Sequence, residues 1–377
     1  MDKFGFVELK DVCNINMGQS PDSDSYNDNE DGIPFFQGNA DFGEKYPTTR
    51  KWCNAPTKIA HAEDILISVR APIGALNYAK EECCIGRGLA AITPNQDKVS
   101  SEFIYWLLKG KHKELNLQGT GSTFKAISRK VLEKIKVPDI ELKKQTELAG
   151  NLEKVYSVIQ LRKQQLEELD TLIKARFVEM FGDPRFNEYN FEKKMLRDTC
   201  KVVTGNTPSR AVDEYYGDYI EWIKTDNIVS GQLTPTTASE SLSEEGMQVG
   251  RTVDEDAILM ACIAGSVASI GRVCVTDRKV AFNQQINAIV PQEYNTLFLY
   301  TLLQISKDYL VEEINMALKG ILSKSRLEEK TFIVPPMEVQ DEFADFVTQV
   351  DKLKVAVQES LDELQTLFDS LMQQYFG

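Results

Sequence analysis

The chain carries one pattern twice. Leu9, Asp11, Cys13, Gly18 and Pro21 return 187 positions later, in register, as Leu196, Asp198, Cys200, Gly205 and Pro208. A second match closes each half. Residues 145–182 align without a gap to 340–377, and 11 of the 38 pairs are identical, among them Gln145/Gln340, Glu147/Glu342, Ala149/Ala344, Leu169/Leu364, Thr171/Thr366, Phe181/Phe376 and Gly182/Gly377. A unit of about 190 residues used twice with diverged contents predicts two similar but unlike recognition surfaces on one repeated frame.

At 377 residues the chain has room for two domains that each bury a core. The first residues do not read as a signal peptide and no run of 18 apolar residues occurs, so a cytoplasmic protein without membrane association is expected. Seven cysteines include only one close pair, Cys83-Cys84, and the histidines are His61 and His112, which argues against structural zinc and a disulfide framework. The net charge of −14 opposes unaided binding to a polyanion. Residues 103–136 run against that trend, with Lys109, Lys111, Lys113, Lys125, Arg129, Lys130, Lys134 and Lys136 facing only Glu114 and Glu133. The matching stretch 301–330 is balanced, with five basic and five acidic residues.

Two long helices are predicted. Leu148, Leu152, Val155, Ile159, Leu166, Leu169, Ile173 and Met180 keep a spacing of four and three, with Arg162 and Arg176 in the remaining slots. Phe343, Val347, Val350, Val357, Leu361, Leu364, Phe368, Leu371 and Tyr375 repeat the stripe, with Lys354 as the polar slot. About 36 residues make a rod of roughly 54 Å, and the 3.5-residue period favours mutual pairing over simple burial. Prolines at 138 and at 335–336 suit the boundary before each helix. The remainder reads as α/β with more strand than helix. Strands are expected at 64–68, around 73–75 and at 88–94, and again at 256–260, 270–273 and 286–291, each set followed by an amphipathic helix starting near Phe103 or Leu297.

No enzyme motif survives inspection. Asp183-Pro184-Arg185-Phe186 and Val334-Pro335-Pro336-Met337 both fail as the Asn/Asp-Pro-Pro-aromatic loop of an amino-methyltransferase, and there is no phosphate-binding GxxxxGK[ST]. Gly119-Thr120-Gly121-Ser122 reads equally as a backbone anion nest or as a flexible turn.

Asp64-Ile65-Leu66-Ile67-Ser68 with Arg70 and Ile73-Gly74 forms one set of markers, and Asp256 to Gly271 with Ala281-Phe282-Asn283-Gln284-Gln285 forms its partner. With them stand Gly119 to Lys125, Val334 to Gln340 and the Leu-Asp-Glu-Leu helix that ends in Phe-Gly. In this order, twice over, the chain resembles the specificity subunit of type I restriction-modification systems along essentially its whole length. The resemblance implies a target recognition domain at 1–140, a long coiled-coil helix at 141–182, a second target recognition domain at 183–336 and a second long helix at 337–377. It implies an antiparallel helix pair, a pseudo-twofold repeat, and a non-catalytic subunit that binds an asymmetric bipartite site in double-stranded DNA. The second half departs from the pattern, offering 318–324 where the first has the Gly-rich loop 119–125.

Implied partners are two modification subunits, carrying S-adenosylmethionine chemistry on adenine, and a restriction subunit using ATP and magnesium; no cofactor is expected on this chain. The candidate DNA-binding residues are Gln37, Asn39, Arg70, Arg87, Lys125, Arg129 and Lys130 in the first half. In the second they are Lys224, Asn227, Arg272, Asn283, Gln284, Gln285, Lys324 and Arg326. Amide and guanidinium groups suit adenine and guanine edges. A related type II specificity subunit and a coiled-coil dimerisation protein without sequence-specific DNA binding stay open as alternatives.

Overall fold

A computed structural model describes residues 5–120, 125–312 and 320–377. The chain divides into two compact units, Met1–Leu161 with Leu361–Gly377, and Arg162–Ser360. The long helices are Leu142–Phe181 and Met337–Phe376, so each starts in one unit and ends in the other.

Each unit holds the same α+β domain. In the first, a four-stranded antiparallel sheet runs in the order Cys13–Met17, Leu89–Pro94, Ile65–Ser68, Leu76–Tyr78. Beside it, a five-stranded sheet runs Tyr26–Asn27, Trp52–Cys53, Ile33–Phe36, Cys83–Ile85, Ile59–Ala60, with one parallel pairing, Phe35 opposite Cys84. The second unit repeats both sheets strand for strand, its parallel pairing setting Trp222 opposite Ala281. A two-stranded ladder, Gly5–Glu8 with Lys136–Asp139, ties the start of the first domain to its end; Glu192–Met195 with Thr331–Val334 does so in the second. The return strands of the two hairpins start later than the sequence suggests, at Leu76 and Val273. Gly74 and Gly271 have φ of +90° and +76°, so these residues form the turn rather than open the strand.

The repeated residues are the joints of the frame. A Cβ on Gly18 would lie 2.2 Å from the Gly86 carbonyl oxygen, and one on Gly205 would lie 2.2 Å from that of Asn283, so only glycine lets these backbones approach. The phenol of Tyr26 donates to Pro21 O, as that of Tyr216 does to Pro208 O, both at 2.7 Å. Gln145 is buried at the start of the first long helix. Its Oε1 accepts from Ser100 N and its Nε2 donates to Lys98 O and Ile140 O, which locks the helix onto the domain before it. Gln340 repeats the clamp, accepting from Asn295 N and donating to Pro335 O.

Inside each unit a helix from the other repeat completes the core. In the first unit, Phe368 packs its ring 5.6 Å from Trp106 and 5.9 Å from Tyr156, and Phe376 lies 5.2 Å from Phe103. In the second, Phe177 and Phe181 close on Phe298 at 5.5 and 4.8 Å and on Phe343 at 5.4 and 5.6 Å. Here the helices run antiparallel: Arg176 pairs with Glu342 at 3.0 Å, and further back Asp170 meets Lys354 at 2.7 Å. Two of the polar slots of the stripe, Arg176 and Lys354, are thereby explained, since Lys354 also donates to Gly231 O at 2.9 Å and joins both helices to a domain loop.

Phe368→Ala is expected to cost about 3–5 kcal/mol, as for other buried aromatics, although the residue belongs to the second repeat. Hydrogen exchange should locate the loss in the first unit, around Ser101–Gly110, with Thr296–Ile305 protected as before. A second expectation concerns Asp351. Burial pushes its carboxyl above the usual carboxylate range; nearby Lys354 works the other way, and Asp170 adds to the rise. A raised acid favours folding while protonated and loses that contribution as pH climbs through its folded value. Asp351→Asn should therefore raise denaturation stability at neutral pH and make no difference under strongly acidic conditions.

Candidate nucleic-acid interface

Matching backbone hydrogen bonds put the two domains into a common register. Gly18 N donates to Leu89 O as Gly205 N does to Ile286 O, and Gly86 N to Phe36 O as Asn283 N does to Ile223 O. Ile127 N donates to Val69 O as Leu322 N does to Cys262 O, and Phe35 N to Lys51 O as Trp222 N does to Glu240 O. It follows that Gln37 corresponds to Lys224, Lys51 to Glu240, Arg70 to Ile263, Arg87 to Gln284 and Lys125 to Gly320.

In the first domain these positions converge. Gln37, Asn39, Arg70 and Arg87 line one open recess of about 200 Å³ together with Gly38, Ala71 and Gly88. Lys125 stands at its edge, its carbonyl accepting from Ala71 N at 3.1 Å. The glycines bring the backbone strands together: a Cβ on Gly88 would sit 2.4 Å from Gln37 O. Asp41 Oδ2 accepts from Gln37 N at 2.9 Å and holds the loop that presents Gln37. Gln37, Arg70, Arg87 and Lys125 are exposed, and among the described residues none of the three cations has an ion pair. Residues 121–124 of the Gly-rich loop, and 318–319 of its counterpart, lie outside the described residues.

The basic stretch 103–136 does not act as one patch. Lys111 pairs with Glu114 at 3.3 Å, Arg129 with Glu133 at 2.8 Å and Lys136 with Glu8 at 3.2 Å. Lys109 sits over the ring of Tyr156 at 3.7 Å, against the long helix. Lys130 is exposed on the short helix Arg129–Glu133.

The second domain uses its candidates differently. Asn227 is buried; its Oδ1 accepts from Lys224 N at 3.0 Å and its Nδ2 donates to Thr236 Oγ1 and Thr237 O, each at 3.2 Å. It is thus the counterpart of the loop-capping Asp41, with no edge left for a base. Asn283 is buried too, accepting from Gln285 N at 3.0 Å and donating to Gln285 Oε1 at 3.1 Å, so the three adjacent carboxamides do not form a reading comb. Gln284 alone of the three is exposed, bonded to the hydroxyl of Thr207. Arg272 is half-buried and braces loops through Ser269 O and Thr225 O at 3.3 and 3.2 Å. Lys324 pairs with Glu328 at 3.5 Å, and Arg326 is exposed on the helix Lys324–Glu329.

Lys224 belongs to a group that local sequence patterns did not reveal. Its Nζ lies 2.7 Å from Glu240 Oε1 and 5.1 Å from the Trp222 ring centre. Arg210 reaches the other oxygen of Glu240 at 2.5 Å and lies over Tyr216 at 4.2 Å. Hydrogen bonds from Lys224 and then Arg210 hold the Glu240 carboxyl below its usual range, so the group stays ionised.

The seven cysteines are all buried and free, and burial pushes the thiols of Cys13, Cys83 and Cys274 up to about 12. No described helix is long and apolar enough to cross a membrane.

A repeated frame with two unlike polar surfaces is the architecture of a two-site recognition protein. The chain belongs to the family of the type I restriction modification DNA specificity domain, whose model matches residues 1–171 and again 188–365. It is 26% identical over 356 residues to the type I restriction enzyme MjaIX specificity subunit of Methanocaldococcus jannaschii, covering 88% of this chain and 80% of that protein. A stretch of 156 residues is 43% identical to the MjaX specificity subunit of the same organism; this match spans 41% of the chain and 37% of that relative. The crystal structure of a type I restriction-modification S subunit from M. genitalium is similar over 100% of this chain and 97% of its own, with a TM-score of 0.63 at 13% identity.

Asn283→Ala should cost about 1–3 kcal/mol by removing a buried carboxamide and leaving the half-buried Gln285 N–H and Oε1 without their partner, whereas Gln284→Ala should leave stability within about 0.5 kcal/mol. Chemical denaturation of the two variants distinguishes an internal brace from an outward-facing group.

Proposed function

We propose that this chain is the non-catalytic specificity subunit of a type I restriction-modification complex, in which each globular domain reads one half of an asymmetric bipartite site in double-stranded DNA. The observation that carries the reading is the recess of the first domain, where Gln37, Asn39, Arg70, Arg87 and Lys125 gather, set against a different group at the corresponding positions of the second. Arginine and carboxamide side chains at a common edge suit bidentate contact with guanine and adenine in the major groove. Cations without acidic partners suit phosphates.

The chemistry belongs to partners. Two modification subunits bring S-adenosylmethionine and methylate an adenine N6 in each half-site, and a restriction subunit brings ATP-dependent, magnesium-dependent cleavage. Exposed apolar side chains along the long helices, such as Leu161, Leu172, Leu353 and Leu367, give those partners surface to cover. A net charge of −14 fits a division of labour in which the partners supply most of the phosphate clamp.

Methylome sequencing of cells with and without this gene, in the presence of its modification subunit, tests the reading. A methylated motif of two unlike halves around an unread spacer should appear only with the gene. Arg87→Ala in the assembled complex should weaken binding by about 1–3 kcal/mol and relax one half of the motif if it reads a base. Uniform weakening with a salt slope smaller by about one would make it a phosphate contact. A motif that persists without the gene contradicts the assignment.

A further inference from the structure

We infer that Glu240, with the Arg210 and Lys224 it holds, is the base-reading group of the second domain, its carboxylate selecting an exocyclic amino group of the cytosine type. The inference rests on the proposed function and names the residues that would carry it out in the second half-site.

Position comes first. Lys224 occupies the place that Gln37 holds at the recess of the first domain, and Glu240 occupies that of Lys51, so the triad stands on the corresponding face of its own domain. The charge pattern differs there. The first domain presents Lys51, Arg70, Arg87 and Lys125 at positions where the second has Glu240, Ile263, Gln284 and Gly320. Such a surface cannot favour the same base edges as its partner, and it adds a charged acceptor, the Glu240 carboxylate, where the first domain has a lysine.

The geometry then suits reading rather than bracing. Side-chain exposures of 54% for Arg210, 37% for Glu240 and 26% for Lys224 leave the group open to solvent, where ion pairs add little to stability. Each Glu240 oxygen accepts from one cation and keeps a second lone-pair direction for an incoming donor. Arg210 uses one of its five N–H donors on Glu240, and its guanidinium lies over Tyr216, at 4.2 Å from the ring centre, so the ion pair and the ring contact together restrict where its remaining donors point. A carboxylate accepts from cytosine N4, while the neighbouring cations meet guanine or phosphate oxygens.

The test is Glu240→Gln in the complete complex with modification subunits, read by the methylated motif and by relative methylation rates on substrates varied at each position. A carboxamide pairs with adenine N6 and N7, so cytosine preference at one position of one half-site should fall on the order of ten-fold in favour of adenine. The other half-site, the half altered by Arg87→Ala, and the spacer should stay as they are. An unchanged motif with unchanged rates overturns the inference, as does a change in the half that Arg87→Ala alters. Loss of methylation at both half-sites with a lowered melting temperature would make the triad a structural brace and also overturn it. If the wild-type complex itself methylates no bipartite site, it is the proposed function that fails.

Discussion

The structure depends on the burial of aromatic side chains from one repeat in the domain core of the other. Phe368 and Phe376 complete the core around Phe103 and Trp106, and Phe177 and Phe181 complete the one around Phe298. Each such ring is worth several kcal/mol against a total stability of order 5–15 kcal/mol for a domain. Neither repeat can therefore close its core from its own sequence. This explains why the identities between the two halves concentrate in the helix segments 145–182 and 340–377 while the loops drift: the segments must serve a core they do not adjoin in sequence, and the loops serve only their own surface.

A frame held in this way permits unequal surfaces. Gly18 and Gly205, Tyr26 and Tyr216, and Gln145 and Gln340 do the same structural work in both domains. The side chains that this shared backbone presents differ in electrostatic character, with unpaired cations around Arg70 and Arg87 and two cations sharing one carboxylate around Glu240. In the proposed function, salt would weaken the first domain's contacts more than the second's, because Arg70, Arg87 and Lys125 face no acidic partner whereas Glu240 offsets one of the two cations in its triad.

Much of this was legible in the sequence, for identifiable reasons. The long helices, Leu142–Phe181 and Met337–Phe376, were visible because a 3.5-residue stripe over five heptads has no local competitor. The duplicated strand order was visible because each run of buried β-branched residues is bounded by turn residues. Site residues were harder. Gln37, Asn39, Arg70 and Arg87 do come together, but Asn227 and Asn283 carry the same carboxamide and are spent inside the domain. Nothing in a short window separates a carboxamide that reads outward from one that caps a loop. Arg210 and Glu240 escaped notice because they lie 30 residues apart, and their equivalence to positions in the first half emerges only from backbone hydrogen bonds across loops of unequal length.

The central claim is that two independent surfaces are mounted on one repeated frame, and exchange of a single domain tests it most directly. Residues 190–335 would be replaced by the equivalent domain of another family member, and the methylated motif of the reassembled complex determined. The account predicts that one half of the motif changes to that of the donor, while the other half keeps its sequence. A complex that folds and methylates but changes both halves together, or neither, would contradict it.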